Sequence, residues 1–206
     1  QNGYYVVQRV YNAAGFGVPQ ARIRAIIVAS KYKNFVLPDE MLSVEEYKTV
    51  RDAIADLPHV DARHQTQMAD RYHRCSTHKQ STVDVIAQVP HDGGSRPKGV
   101  GPKCLDKVNG FSDVYGRLSW DKPAITITQY ARNPASGRYS HPEQDRGLTI
   151  REAARLQSFP DGYLWNGSLG ENFKQIGEAV PPLLALAIAT QIALTIKKQD
   201  NNEQNI

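Results

Sequence analysis

The sequence predicts an α/β chain, and three observations carry that expectation. Two stretches rich in β-branched and aromatic residues, Tyr4 to Tyr11 and Ile23 to Ala29, read as strands on either side of a loop punctuated by glycine and proline. Two Ser/Thr-x-x-Glu capping boxes, Ser43/Glu46 and Thr149/Glu152, open helices that stop at Pro58 and at Phe159-Pro160. Finally, the apolar run Ala179 to Ile196 has helical length and carries Pro181 and Pro182 in its first turn, where proline costs least.

Taken in order, the first strand leads through the loop Asn12–Ala21 to a second that is nearly continuous in apolar residues, a pattern expected of a strand buried on both faces. The two can pair as an antiparallel edge. A two-stranded sheet is not stable by itself, so this pair calls for more sheet than the sequence contains. After Ser43, residues Val44, Tyr47, Val50, Ile54 and Leu57 recur at helical spacing up to Pro58. Regular periodicity then fades from about residue 59 to 147. Val83 to Pro90 reads as a strand, and the loop Asp92–Gly101 lacks the Gly-Lys-Ser/Thr ending of a nucleotide-binding P-loop. Val114 to Trp120 and Ala124 to Thr128 read as short strands about an Asp121-Lys-Pro turn, and Asn133 to Tyr139 as loop. The helix after Thr149 carries Arg151 and Arg155 on one side, which by itself also suits a surface helix with a solvated basic face. Asn166-Gly167 marks a turn. The helix 179–196 is apolar nearly all round and must be buried against something large, and the polar tail from Lys197 should fray.

Composition narrows the classes of function. The chain has 206 residues and a formal net charge of +4, unevenly spread. Between Arg63 and Ser140 there are 12 Lys/Arg against 6 Asp and no Glu, whereas the remainder is slightly acidic. A basic middle within a mildly acidic scaffold is the footprint of a polyanion-binding module. Two distant cysteines, Cys75 and Cys104, make no disulfide framework, which with the lack of a signal peptide leads to the expectation of a cytoplasmic protein. No apolar run approaches the ~20 residues of a membrane span. His73-x-Cys75-x-x-His78 has no second half at matching spacing, so no metal site is expected.

Three ordered segments resemble one family. Leu148-Thr-Ile-Arg-Glu-Ala-Ala-Arg-Leu-Gln-Ser-Phe-Pro-Asp161 is similar to the ninth conserved block of bacterial DNA (cytosine-5)-methyltransferases. Tyr11 to Arg24, with its Gln-x-Arg-x-Arg core, is similar to the eighth, and Gln175-Ile-Gly-Glu-Ala-Val-Pro-Pro182 to the tenth. The resemblance implies the C-terminal portion of a Rossmann-like S-adenosylmethionine methyltransferase sheet plus a small, mixed, loop-rich target recognition domain. Residues 1–58 would end the catalytic domain and 59–147 would be the recognition domain. Residues 148–206 would form a hinge helix and a closing helix that returns to the catalytic domain.

It also implies roles. Gln20, Arg22 and Arg24 would stand at the flipped cytosine, the arginines meeting its phosphate and O2 oxygen. Residues 22 and 24 share a strand face, so both guanidiniums would point into one cleft. Glu178, Ala179 and Val180 would line the cofactor pocket, with Glu178 replacing the family's usual asparagine; a purely structural helix start is the alternative there. Thr126 resembles the family's recognition-region threonine, and an ordinary strand threonine reads as well. Ser95, Arg96, Arg117 and Arg138, beside glycine, serine or proline, and Arg132, in the loop before Pro134, would touch double-stranded DNA, with Gly93 and Gly94 letting the backbone approach the duplex. The Pro-Cys nucleophile, the Glu-Asn-Val acid and the glycine-rich cofactor loop do not occur in these residues. The expectation is therefore a chain inactive alone, serving restriction-modification with an N-terminal catalytic segment in the same or another polypeptide. A naturally split enzyme and a catalytically dead DNA-binding module are the alternatives.

Overall fold

The computed structural model describes residues 3–31, 35–62, 69–107 and 110–203, with side chains to residue 198. Strands β1 (Tyr5–Asn12) and β2 (Ile23–Ser30) pair antiparallel, Tyr5 opposite Ser30 and Asn12 opposite Ile23, as a two-stranded sheet. The connection is a 3-10 turn, Ala13–Phe16, capped by the Asn12 side chain. Contrary to the expectation for β2, only one of its faces is covered. Ile26 and Val28 pack with Tyr11, Phe16, Phe35, Leu37 and Leu184, while Ile23 and Ile27 are each 65% exposed.

The helix expected from Ser43 to Pro58 breaks in two. Ser43 and Glu46 do form a capping box, but it closes only the 3-10 turn Val44–Glu46. The α-helix α1 (Val50–Ile54) starts on its own box, Thr49 with Asp52. Its backbone explains the break: the N–H groups of Val50 and Arg51 donate to the carbonyls of Lys122 and Trp120, so the first turn is tied to the middle of the chain.

Residues 83–87 lie in a helix, not a strand, and the chain turns out of it at 88–90. Helix α2 (Gln80–Ala87) buries Ile86, and its surface is laced at i,i+4 by Gln80 and Gln88 donating to the Asp84 side chain and carbonyl. The β-branched residues that suggested a strand fit a helix whose apolar side meets Val89 and Tyr115. Segments 114–120 and 124–128 form no ladder: Val114 and Tyr115 lie in a turn, Tyr115 at φ 61°, and the rest is held by the isolated bridges Arg117↔Ser140 and Gln20↔Ala124.

Helix α3 (Ile150–Leu156) follows its capping box, with Thr149 N–H donating to Glu152 at 2.8 Å and Glu152 N–H to the Thr149 hydroxyl at 3.0 Å. It is buried rather than a solvated surface helix. Its basic side faces carboxylates: Arg151 binds Asp70 and Asp161, and Arg155 binds Asp56 and Asp161. The run 179–196 holds the start of only one of two helices. Helix α4 (Leu169–Glu178), opened by the capping box Ser168/Glu171, ends at Ala179, and α5 (Pro182–Glu203) begins at the second proline. Leu184 is buried on α5, but Leu186 is 62% exposed and Leu194 48%, so α5 is covered on one side only. No single helix among the described residues is long and apolar enough to cross a membrane.

The largest core joins Val50 and Ile54 of α1 to Leu118, Trp120 and Ile127, to α3, and to Phe173 and Ile176 of α4. The strands and α5 share a second core. At the centre lies an ion pair, Arg146 with Glu152, at 2.7 and 2.9 Å and almost fully buried. Burial opposes the charge on Glu152, but Arg146 and the Thr149 amide overcome it and hold the carboxyl down at about 2. Burial also pushes the neighbouring His141 down to about 4, with Glu152 opposing the shift and Arg146 and Arg117 adding to it. Both pKa values lie below the ordinary ones, so protons bind preferentially to the unfolded chain and stability falls with acid. The decline should begin below about 6.5, where unfolded His141 titrates, and deepen from about 4.5 toward 2 as Glu152 joins it. Glu152→Gln strands Arg146 and should cost about 3–5 kcal/mol. Urea midpoints recorded from pH 7.5 to 3 check both; a midpoint independent of pH down to 4 would contradict the assignment.

Candidate functional site

The three segments singled out in the sequence meet at one buried junction. Gln20 lies just before β2 and is fully buried. Its amide N donates to the Leu156 carbonyl at 3.1 Å and to Gln157 Oε1 at 2.6 Å, and its Oε1 accepts from the Ile127 N–H at 2.8 Å. Gln157, at the end of α3, donates onward to the carbonyls of Ile176 and Ala179. Arg22 completes the web, donating to the carbonyls of Ile127 at 2.9 Å, Gly177 at 3.0 Å and Ala179 at 3.3 Å. A glutamine is needed at 20 because one side chain must give and accept at once; an arginine is needed at 22 because its planar fork spans carbonyls on two segments.

This placement corrects the expected cleft. Arg22 precedes the strand rather than alternating within it, and it is 3% exposed. Burial, with the like charge of Arg24 adding, lowers its pKa to about 10, so it stays cationic near neutrality. Arg24 is exposed, and its Nη1 donates to the Ile23 carbonyl at 2.6 Å. The pair therefore divides: one arginine knits the fold and the other projects from it.

Among the arginines expected on DNA, three are spent inside the protein. Arg117 is fully buried. It donates to Ile86 O at 2.8 Å and Val89 O at 3.0 Å, capping the C-terminus of α2, and also to His141 O, Gln144 O and Asp145. Arg138 grips the carbonyls of Gly93, Gly94 and Arg117 together with Asp113 and the Ser95 hydroxyl. Arg96 folds back onto Val100 O and Asp106, leaving its side chain 7% exposed. Loop-fixing by internal carbonyls, not duplex approach, explains the glycines too: a Cβ at Gly94 would lie 2.0 Å from Pro90 O. Ser95 is exposed but engaged by Arg138, and Thr126 donates its hydroxyl to Ala21 O at 3.0 Å. Arg132 alone of the four is exposed and has no hydrogen-bond or ion-pair partner among the described residues.

A family model described as C-5 cytosine-specific DNA methylase matches residues 1–194. The chain belongs to that family. It is 35% identical over 205 residues to the type II methylase M.HgiDII of Herpetosiphon aurantiacus, covering 93% of this chain and 56% of that protein. It is 36% identical over 201 residues to the type II methyltransferase M1.HphI of Haemophilus parahaemolyticus, covering 98% and 50%. The chain thus spans about half the length of these relatives. A crystal structure of a prophage-encoded DNA modification methyltransferase (E. coli) shares the fold, with a TM-score of 0.67 at 21% identity over 94% of this chain and 61% of that one.

On this methylase-family chain, the three residues expected at the cofactor fall at the α4–α5 turn. Glu178 is exposed, Val180 is 56% exposed, and the Ala179 carbonyl is held by Arg22 and Gln157. His73 and His78 are occupied: His73 lies 3.2 Å from the Thr149 hydroxyl and 2.8 Å from Pro58 O, and His78 Nε2 accepts from Gly147 N–H. Sequence reasoning missed Gln157 and α4. Ser168-x-x-Glu171, followed by Leu169, Phe173 and Ile176 at helical spacing, carried the signal for the helix. Arg22→Ala should remove a donor from three carbonyls, at about 1–3 kcal/mol for each one left buried and unpaired. Arg24→Ala, at an exposed position, should stay within about 0.5 kcal/mol. Urea unfolding compares them; equal midpoints would deny Arg22 its structural role.

Proposed function

We propose that these residues form the DNA-recognition and base-flipping part of a DNA (cytosine-5)-methyltransferase of restriction-modification. The observation that carries this reading is the buried junction: Gln20 and Arg22, Gln157, and the Gly177–Ala179 turn come from three distant segments and lock together, leaving Arg24 projecting beside them. An arginine projecting beside a rigid seam can present a donor fork to the O2 oxygen of an extruded cytosine, stabilising charge that develops on the base. Gln20 and Arg22 act in this reading as positioning residues.

The nucleophile and its acid come from a further segment, in the same polypeptide or another. Supporting this is apolar surface left open on the strands and on α5: Val6, Val10, Ile23 and Ile27 are each more than 60% exposed, as is Leu186. Patches of that kind ordinarily mark an interface, which speaks against a stand-alone DNA-binding module. S-adenosylmethionine, the methyl donor, would meet this chain at Glu178 and Val180. The exposed carboxylate fits the ligand's ammonium, while its carboxylate would need a cation from elsewhere.

In the assembled enzyme, Arg24→Ala should lower turnover by roughly one to three orders of magnitude with a much smaller change in duplex affinity. Single-turnover methyl transfer and binding assays measure the two effects. Near-normal turnover would remove Arg24 from the reacting base, and tritium incorporation by the purified 206-residue chain alone would overturn the division of labour.

A further inference from the structure

Helix α4 lies directly against the residues that follow Thr126. A Cβ at Gly177 would sit 2.1 Å from the Gln129 backbone N and 2.2 Å from Thr128 C, so only glycine permits the approach. Gly170 and Lys174 precede Gly177 at helical spacing, on the same side of α4. At Gly170 the nearest atoms to a built Cβ are the Arg132 guanidinium and the Ser168 hydroxyl, each at 4.0 Å. Between α4 and the turn that follows Thr128 opens a recess of about 300 Å³ walled by Gln129, Tyr130, Arg132, Ser168, Glu171 and Lys174.

The chemistry of that wall is lopsided. Arg132 and Lys174 are exposed cations without a hydrogen-bond or ion-pair partner among the described residues. Tyr130 is 58% exposed, and the Ser168 hydroxyl accepts from Glu171 N–H within the capping box. The one carboxylate, Glu171, is committed to the capping box, accepting from Ser168 N–H at 2.6 Å. Two cations without internal partners face a single carboxylate across the recess, so the charge of its wall is net positive. That arrangement suits an anion held by several hydrogen bonds. It contrasts with Arg117 and Arg138, whose guanidinium nitrogens all donate within the protein, and with Arg96, whose side chain is folded back and 7% exposed.

We infer that Arg132 and Lys174, with Tyr130 beside them, clamp a backbone phosphate of duplex DNA, making α4 part of the DNA-binding face. The inference rests on the function proposed above and adds a second anchor to it, on the opposite side of the recess from the recognition segment. A point cation and a planar fork seized from two elements position the duplex without reading its sequence.

The test uses the assembled enzyme and a labelled random-sequence duplex of about 30 base pairs, with affinity measured at several salt concentrations. Each lost phosphate contact should make the slope of log affinity against log salt shallower by about 0.9. Lys174→Gln and Arg132→Gln should each do so, with the double variant near twice that and Lys174→Arg close to wild type. Site preference should not change. Unchanged slopes in both single variants, with the parent enzyme showing steep salt dependence, would overturn the clamp alone. A parent enzyme with no salt-dependent duplex affinity would overturn the clamp together with the DNA-binding reading beneath it.

Discussion

The carbonyl of Ala179 receives both Arg22 and Gln157, and much of the architecture depends on that meeting. Three pieces of backbone, at Ile127, at the end of α3 and at the α4–α5 turn, would otherwise bury carbonyls with no donor, an expensive arrangement in a low-dielectric interior. Gln20 and Arg22 supply the donors from the loop leading into β2. The strand pair is thereby fastened to the larger core although few apolar residues cross between the two cores. A polar seam of this sort is directional, and it fixes where Arg24 and the α4–α5 turn stand relative to each other more tightly than a greasy contact would.

The same economy governs the middle of the chain. This segment has little regular structure, so its loops cannot satisfy their carbonyls by ladders. Arginine does that work instead. Arg117 caps α2 and ties it to residues 141–145, Arg138 holds the Gly93–Gly94 loop, and Arg146 pairs with Glu152 at the heart of the core. A basic composition here is therefore partly a structural device. Counting cations overstates the charge available to a polyanion, and only those without an internal partner, Arg132 and Lys174 among them, remain to meet one.

The uncovered faces make a complementary point. One side of the sheet and one side of α5 pack against the shared core, while the other sides carry isoleucine, valine and leucine into solvent. Two strands with exposed apolar faces do not form a self-sufficient sheet.

Local chemistry made part of this legible in the residues themselves. The strand pair, the Thr149/Glu152 box and the stop at Phe159-Pro160 follow from propensity, capping and proline geometry, all of which act within a few residues, and the ordered segments sufficed to point to the family. What tertiary structure decided was the destination of each polar side chain. Val83 to Ala87 became helical because its apolar side met Tyr115 and its C-terminal carbonyls met Arg117, partners far away in sequence. Arg22 and Arg24, two residues apart, separated into a buried donor and an exposed one because Arg22 lies outside the strand and faces carbonyls more than a hundred residues downstream. Spacing sets which residues share a face of one element; it carries no information about which distant carbonyl lacks a donor, and in this protein that need determines where the arginines go.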